Sequence, residues 1–525
     1  VGFNRLEADP AVREQAVLAF WEENRIFERS LEQGRGSRYV FYEGPPTANG
    51  RPHFGHLLPR LYKDLFPRYR TMRGDYVGRK AGWDCHGLPV ELEVEKELGI
   101  STKAEIEHYG VERFVERCKE SVNRYIRNWE AMLRRFGFWI DLDNPYVTYA
   151  DAYIETLWWE LKQIHAQGLL VPGHKILPYC PRCGTSLSSH EVAQGYARVE
   201  DPSAFVRMPL ADGPAGSLLV WTTTPWTLPA NVALAVAPDE TYAEVVHNGE
   251  RLILARSRVE AVLGAKATVG REFPGRELVG LRYAPLYPLA NGNSAYTVVA
   301  ATFVTMDDGT GIVHIAPAFG EEDFALGQAA GLPFVQPVDR AGRFTDEFNL
   351  AAGVFVKDAD PLILEDLERR GRLFRAETCE HDYPFCWRCD TPLLYYALDS
   401  WFIATTAKKD AILAASEEIA WHPEHMGESR FGDFLRSMRD WALSRDRYWG
   451  TPLPVWVCAG CGALEVVGSR AELVKHATDP DLARSVELHR PFVDRVELRC
   501  SCGGTARRVP YVLDTWFDSG SMHTA

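Results

Sequence analysis

The chain has 525 residues, 46% of them hydrophobic and 25% charged, which is the balance of an ordinary globular protein with about two to four domains rather than one core. A formal net charge of −14 excludes a surface coated in basic residues for indiscriminate nucleic-acid binding, while leaving room for a local basic groove against a structured RNA. No apolar stretch approaches the ~18–20 residues that cross a bilayer, and the charged, amphipathic start has no signal-peptide core, so no membrane partner and a cytoplasmic location are expected.

In chain order, a helix is predicted over about residues 9–23. An apolar run at 39–42 predicts a strand, the loop Gly44-Pro-Pro-Thr-Ala-Asn-Gly-Arg-Pro-His53-Phe-Gly55-His56 follows, and the spacing of residues 57–66 predicts a helix. A helix start offers free N–H groups and a positive dipole end to phosphate, and imidazoles can contact charge developing on a triphosphate. Gly55 leaves space for a flat base or ribose. Taken without its flanks, His-x-Gly-His is just as simply a loop with two surface histidines. A second strand is expected at about 75–79, leading into Gly82-Trp-Asp84-Cys-His86-Gly. Long helices are expected near 111–136 and 150–167, the second stopped by Gly168. Strand–helix alternation with a ligand loop between them predicts an α/β, Rossmann-like parallel sheet.

From about residue 201 to 379 the pattern becomes β-rich, with short apolar runs at 218–222 and 242–246 and a hairpin signal, Asn248-Gly249, before 251–254. Thr222, Thr223, Thr224, Thr227 and Asn231 crowd polar groups after one strand, and His314 and Asp323 flank Ala-Pro-Ala-Phe-Gly. Strand propensity and a core histidine would account for these equally well. Eight of the eleven cysteines form tight pairs, Cys180/Cys183, Cys386/Cys389, Cys458/Cys461 and Cys500/Cys502. Such knuckles aim two thiolates at one tetrahedral metal, and in a reducing compartment zinc is favoured over disulfide or a redox pair. If 180/183 and 386/389 share one ion, the β-rich segment is inserted into another domain with its ends together; 458/461 with 500/502 then make a second zinc ribbon, other pairings remaining open. Cys85, Cys118 and Cys379 read as buried or inert thiols.

The histidine loop with its Gly-Pro-Pro lead-in resembles the first signature of the class I aminoacyl-tRNA synthetases, and within them the isoleucyl-tRNA synthetases. Gly82-Trp-Asp84-Cys-His86-Gly-Leu-Pro-Val-Glu91, Trp221-Thr-Thr-Thr-Pro-Trp-Thr-Leu-Pro-Ala-Asn231 and the segment from Gly311 to Asp323 agree, and the resemblance runs from about Ala16 to Met522. His86-Gly-Leu-Pro89 differs from the Phe-Gly-Leu-Pro usual in leucine enzymes, and Pro46-Thr-Ala-Asn-Gly50 from the Pro-Asn-Val-Thr-Gly usual in valine enzymes. The resemblance implies activation of isoleucine by ATP with Mg2+, transfer to isoleucine tRNA, and hydrolysis of valyl-tRNA in the insertion. His53, Gly55 and His56 would act on ATP. Asp84 would hold the substrate ammonium, although a helix N-cap is an equally good reading of that residue. Pro46, Asn49, His86 and Trp516 would complete the substrate site, Trp516 serving equally well as core. In the insertion, Asp323 would hold the ammonium of a misacylated residue, the threonines and Asn231 would position ester and water, and His314 would limit pocket size.

The implied organisation is an N-terminal helix and first Rossmann-like part at 1–178, a zinc-knuckle base at 179–200 and 380–394, an editing insertion at 201–379, a return at 395–450, a zinc ribbon at 451–510 and the start of a second catalytic half at 511–525. No Lys-Met-Ser-Lys-Ser signature is present, and His523-Thr-Ala departs from the family's Pro-Phe-Ala or Pro-Tyr-Ala, so the N-terminal portion of a longer, monomeric protein is expected. A stand-alone editing hydrolase of mischarged tRNA and a noncatalytic zinc-bearing RNA-binding module are the alternatives. The histidine loop argues against the first and the net charge of −14 against the second.

Overall fold

A computed structural model of the chain describes residues 9–33, 36–211, 216–264 and 267–525. The chain separates into two compact units, Val1–Val171 with Trp401–Ala525, and Pro172–Ser400.

The first unit opens with the helix Pro10–Glu23, whose cap Asp9 accepts from the Ala11 N–H at 2.8 Å and whose proline occupies the first turn, where no N–H is needed. Residues 39–42 do not form the regular strand that their composition suggests. The stretch runs extended beside residues 76–84 through isolated parallel bridges, Arg38 with Tyr76 and Thr47 with Asp84. Pro45 and Pro46 bring no N–H to a ladder, and Val40 and Tyr42 remain exposed. The second strand forms slightly later than predicted, at Lys80–Trp83, paired in parallel with Asp141–Val147. Gly82 is required there: a Cβ would lie 1.9 Å from the Tyr146 ring. The helix Val111–Phe136 buries Phe114, Val115, Cys118, Val122, Trp129 and Leu133 along one stripe and ends at Gly137 in the left-handed conformation. Asp151–Ala166 follows. After residue 401 the chain builds a four-stranded antiparallel sheet in the order Leu464–Val466, Val455–Cys458, Thr505–Arg508, Leu498–Arg499. Trp158, Trp456, Leu473 and Leu488 form its core.

The second unit holds a six-stranded sheet in the order Thr268–Pro274, Thr241–His247, Glu250–Ala255, Ser217–Thr222, Tyr196–Pro209, Leu373–Pro384. All pairs are antiparallel except Ser217–Thr222 with Glu250–Ala255. Leu218 and Val220 pack into one cluster and Leu219 into another, so this strand is covered on both faces and reads as a continuous apolar run. The predicted hairpin is present: Asn248 and Gly249 have φ of 52° and 82°, as a type I′ turn demands. A second sheet of three strands has Ala233–Val236 in the centre, parallel to Thr297–Ala300 and antiparallel to Ile312–Ile315. No described helix is long and apolar enough to cross a membrane.

Candidate functional site

In the first unit the loop after residue 44 lies against Asp84. Ala48 N–H donates to the Asp84 carbonyl at 2.8 Å, Asp84 N–H to the Pro46 carbonyl at 3.1 Å, and the Thr47 hydroxyl to Asp84 Oδ2 at 2.9 Å. The carboxylate is buried. Farther along, His53 caps a turn, Phe54–His56, that leads directly into the helix Leu57–Met72. Gly55 N–H donates to His53 Nδ1 at 3.1 Å, and His53 N–H to His56 Nδ1 at 3.0 Å. A nitrogen that accepts carries no proton, so each neutral ring keeps its proton on Nε2 and offers it as a donor. The rings lie 3.8 Å apart, and His56 meets Trp129 at 4.7 Å. Partial burial, His53 and Arg60 together push His56 below the usual imidazole value, which favours that neutral form. Trp129 Nε1 in turn donates to the Gly50 carbonyl, and Lys63 ties Glu43 and the Gly44 carbonyl. Pro46 and Asn49 are half-buried in this loop.

His86 has a different setting. It is buried, with Nδ1 2.6 Å from Asp518 Oδ2 and Nε2 2.9 Å from His489 Nε2; His489 Nδ1 lies 3.1 Å from Glu487. The Thr451 hydroxyl donates to the other Asp518 oxygen at 2.8 Å. The two rings are thus a buried pair held between two carboxylates, and burial lowers His489 to about 4, so that ring is neutral at pH 7. His86 is therefore enclosed by these partners and faces no open surface. Trp516, 44% exposed, stands at the start of the helix Thr515–Gly520, and Thr515 lies against Gly87, where a Cβ would come within 2.0 Å of its hydroxyl. Thr47, Trp129, His489 and Asp518 carry no sequence signal of their own. Their partners lie tens to hundreds of residues away, beyond any local spacing rule.

The cysteines assemble in two groups of four, 180/183/386/389 and 458/461/500/502, with all sulfurs of a group within 4.8 Å of one another. Separations of 3.5–3.6 Å, such as Cys183 to Cys389 and Cys461 to Cys500, fit the roughly 3.8 Å edge of a tetrahedron with Zn–S bonds of about 2.3 Å. Gly504 closes over the second group: a Cβ there would lie 3.3 Å from Cys502 Sγ and 3.4 Å from Cys458 Sγ. Both groups can hold a metal ion. Cys85 and Cys118 are buried thiols, pushed well up by burial.

In the second unit Thr222, Thr223, Thr224, Thr227, His314 and Asp323 line one cavity of about 270 Å³. The strand end at Thr222 and the turn Pro225–Ala230 set the threonines, Ile312–Ile315 sets His314, and the first turn of Glu321–Ala330 sets Asp323. Thr227 Oγ1 is 2.7 Å from His314 Nε2 and 3.2 Å from Thr224 Oγ1, which is 3.3 Å from Thr222 Oγ1. Asp323 Oδ2 accepts from Ala316 N–H at 2.8 Å. Burial raises the Asp323 carboxyl to about 6, against the Ala316 hydrogen bond and with Glu322 adding to the rise; burial alone lowers His314 to about 4. At neutral pH the cavity thus presents a carboxylate and a neutral imidazole. Asn231 lies outside the lining: it sits behind His314, with Nδ2 3.4 Å from Nδ1. Thr305, Asp308 and Thr310 line the cavity too, without a sequence signal beyond a polar, glycine-bearing turn.

Over residues 16–525 the chain matches the family described as tRNA synthetases class I (I, L, M and V), and it belongs to that family. Among curated relatives it is 54% identical over 515 residues to the isoleucine–tRNA ligase of Thermus thermophilus, covering 97% of this chain and 49% of that protein. It is 51% identical over 512 residues to that of Clostridium acetobutylicum, with the same coverage. The chain therefore spans about half the length of the curated relatives it matches. A LeuRS–tRNA–LeuAMS complex from Agrobacterium radiobacter K84 aligns at TM-score 0.43 and 17% identity over 98% of this chain and 59% of that one, too weakly to inform the fold.

Proposed function

We propose that this chain carries the amino-acid activation site and the editing site of an isoleucine-specific tRNA synthetase. The observation that carries the first half is the convergence of the Pro46–Ala48 backbone and the Thr47 hydroxyl on buried Asp84, in the same loop that ends at a helix start where both His53 and His56 use Nδ1 as acceptor and keep Nε2–H as donor. In this reading the first unit, apart from the 451–510 ribbon, is a Rossmann-like catalytic domain that breaks off at Val171 and resumes at Trp401, rather than at 178 and 395 as the sequence suggests, and the insertion at 201–379 edits. Asp84 takes the isoleucine ammonium, and Pro46, Asn49 and Trp516 border the substrate. His86 holds the Asp84 loop from behind. The isoleucine carboxylate attacks the α-phosphate of ATP, whose Mg2+ travels with the nucleotide, and pyrophosphate leaves. No side-chain nucleophile is needed: His53, His56 and the helix N–H groups stabilise the charge that gathers on the phosphate oxygens. Transfer to the terminal ribose of isoleucine tRNA follows.

A zinc ion in each cysteine group would hold the paired knuckles together, a structural part with no step in the reaction. Editing is needed because one methylene is worth only ~1–3 kcal/mol in an apolar pocket, a limit long illustrated by isoleucine against valine. The lining of one cavity by Thr222, Thr224, Thr227, His314 and Asp323 supports ester hydrolysis there. Asp323 pairs with the free ammonium, the threonines orient the ester and a water, and water attack on the carbonyl releases valine and the ribose hydroxyl. Two assays test the reading. Isoleucine should drive exchange of labelled pyrophosphate into ATP in a protein extended to the relatives' length, with kcat/KM roughly 10- to 200-fold above that of valine, which the activation pocket cannot exclude. Valine should be released from valine-charged isoleucine tRNA by the chain as it stands. Failure of both, with folded protein, returns the chain to the RNA-binding alternative.

A further inference from the structure

Behind the cavity, a buried chain of hydrogen bonds runs from Tyr283 to the threonines, and each link has a fixed direction. Asn231 Nδ2 lies 2.9 Å from the Ala233 carbonyl, which can only accept, so the amide nitrogen is on that side. Its oxygen then receives the Tyr283 hydroxyl proton at 2.6 Å. The same Nδ2 faces His314 Nδ1 at 3.4 Å, so that ring nitrogen must present a lone pair. The ring proton is left on Nε2, from which it is donated to Thr227 Oγ1 at 2.7 Å, and the Thr227 proton goes on to the Thr224 carbonyl at 2.8 Å. Asn231 is anchored to the ladder that carries His314, because Ala233 and Leu234 pair with Ile315 and His314. Tyr283 is 2% exposed and has the Tyr296 ring edge-on at 6.2 Å.

We propose that Tyr283 is a positioning residue which, through Asn231, locks His314 in the neutral Nε2–H tautomer, so that His314 serves the cavity as a hydrogen-bond donor to Thr227 and not as a base. The consequence for hydrolysis rests on the editing reading above; the tautomer does not. Thr227 spends its proton on the Thr224 carbonyl and its lone pairs on His314 and Thr224, so it is a fixed acceptor that shapes the floor of the cavity. The group that meets the attacking water is then the hydroxyl of Thr223 or Thr224, with no imidazole to take its proton.

The test is nitrogen NMR of the whole chain with isotope-labelled histidine, the His314 pair of resonances being identified by their loss in His314→Gln. The parent should show a protonated Nε2 and an unprotonated Nδ1 at neutral pH; the reverse pattern overturns the proposal. Tyr283→Phe keeps the ring and removes the donor. The His314 resonances should move toward those of mixed tautomers, and kcat for valine release should fall about tenfold with KM little changed, as expected for one lost buried hydrogen bond. An unchanged His314 pattern in this variant overturns the role of Tyr283. Should Tyr283→Phe not fold, Asn231→Asp replaces the amide donor by an acceptor and should draw the proton to Nδ1; retention of the parental tautomer there also overturns the proposal. If the parent has the expected tautomer but releases no valine, the editing reading fails and the lock stands.

Discussion

Single side chains decide the chemistry of both candidate sites. On the proposed reading Asp84 gives the substrate ammonium a charge-assisted hydrogen bond, worth about 1.5–3 kcal/mol, so Asp84→Asn should raise the KM for isoleucine roughly ten- to hundredfold while leaving the KM for ATP close to that of the parent. In the second unit Asp323→Ala should abolish valine release, and His314→Ala should enlarge the cavity so that isoleucine-charged tRNA is hydrolysed too; deacylation of the two charged tRNAs, measured side by side, separates these roles. In the proposed editing step the ammonium needs the ionised Asp323 carboxyl. Because burial raises Asp323 to about 6, the rate of valine release should climb through pH 6, where an ordinary aspartate would already have flattened out, and Asp323→Glu at the same site should shift that midpoint. For folding the sign is opposite. A carboxyl raised from 3.8 to about 6 holds its proton more tightly when folded, so its contribution to stability is full below pH 3.8 and is lost as pH rises through 6.

At the scale of elements, glycines and cysteines fix what the apolar pattern only outlines. Gly82→Ala would drive a methyl into the Tyr146 ring and should cost about 1–3 kcal/mol in a denaturant melt. Cys183→Ser should release metal from the first group alone and loosen the second unit, whereas Cys461→Ser should leave the second unit's melting unchanged; metal analysis and melting of each variant check this. The helix at 111–136 and the hairpin at 248–249 were legible because their signals are local: a long 3.6-residue stripe ended by Gly137, and Asn-Gly in a two-residue turn. The extended stretch at 39–42 was misread because apolar character says nothing about whether a ladder partner is present, and the prolines after it remove donors. The threonine cluster could be named from sequence. Its joining to His314 could not, since the contact depends on Ile312–Ile315 pairing with Ala233–Val236 far along the chain.

For the whole molecule, the two groups of four cysteines set the stoichiometry: carefully prepared protein should contain two zinc ions per chain, and one or none would overturn the assignment. The unit Pro172–Ser400 has its own sheets, core and cysteine group. Expressed alone, it should fold and release valine from valine-charged isoleucine tRNA while sparing isoleucine-charged tRNA; failure of the folded unit to do so would place the editing determinants elsewhere.

The histidine pair behind Asp84 has a consequence for how the first unit opens. The ring nitrogens of His86 and His489 meet at 2.9 Å, and the pair is held between Asp518 and Glu487. Burial already holds His489 near 4, so the folded form binds fewer protons than the unfolded one between about pH 4 and the usual 6.5, and stability falls as the solution is acidified across that window. The buried contact is local. Amide hydrogens of residues 84–87 and 487–489, four hundred positions apart in the chain, should therefore lose protection together when acidified, before the helix Val111–Phe136 does. Such shared opening would make the Asp84 loop and the 487–489 segment one cooperative breathing unit, which exchange measured by mass spectrometry from pH 7 to about 5 would reveal.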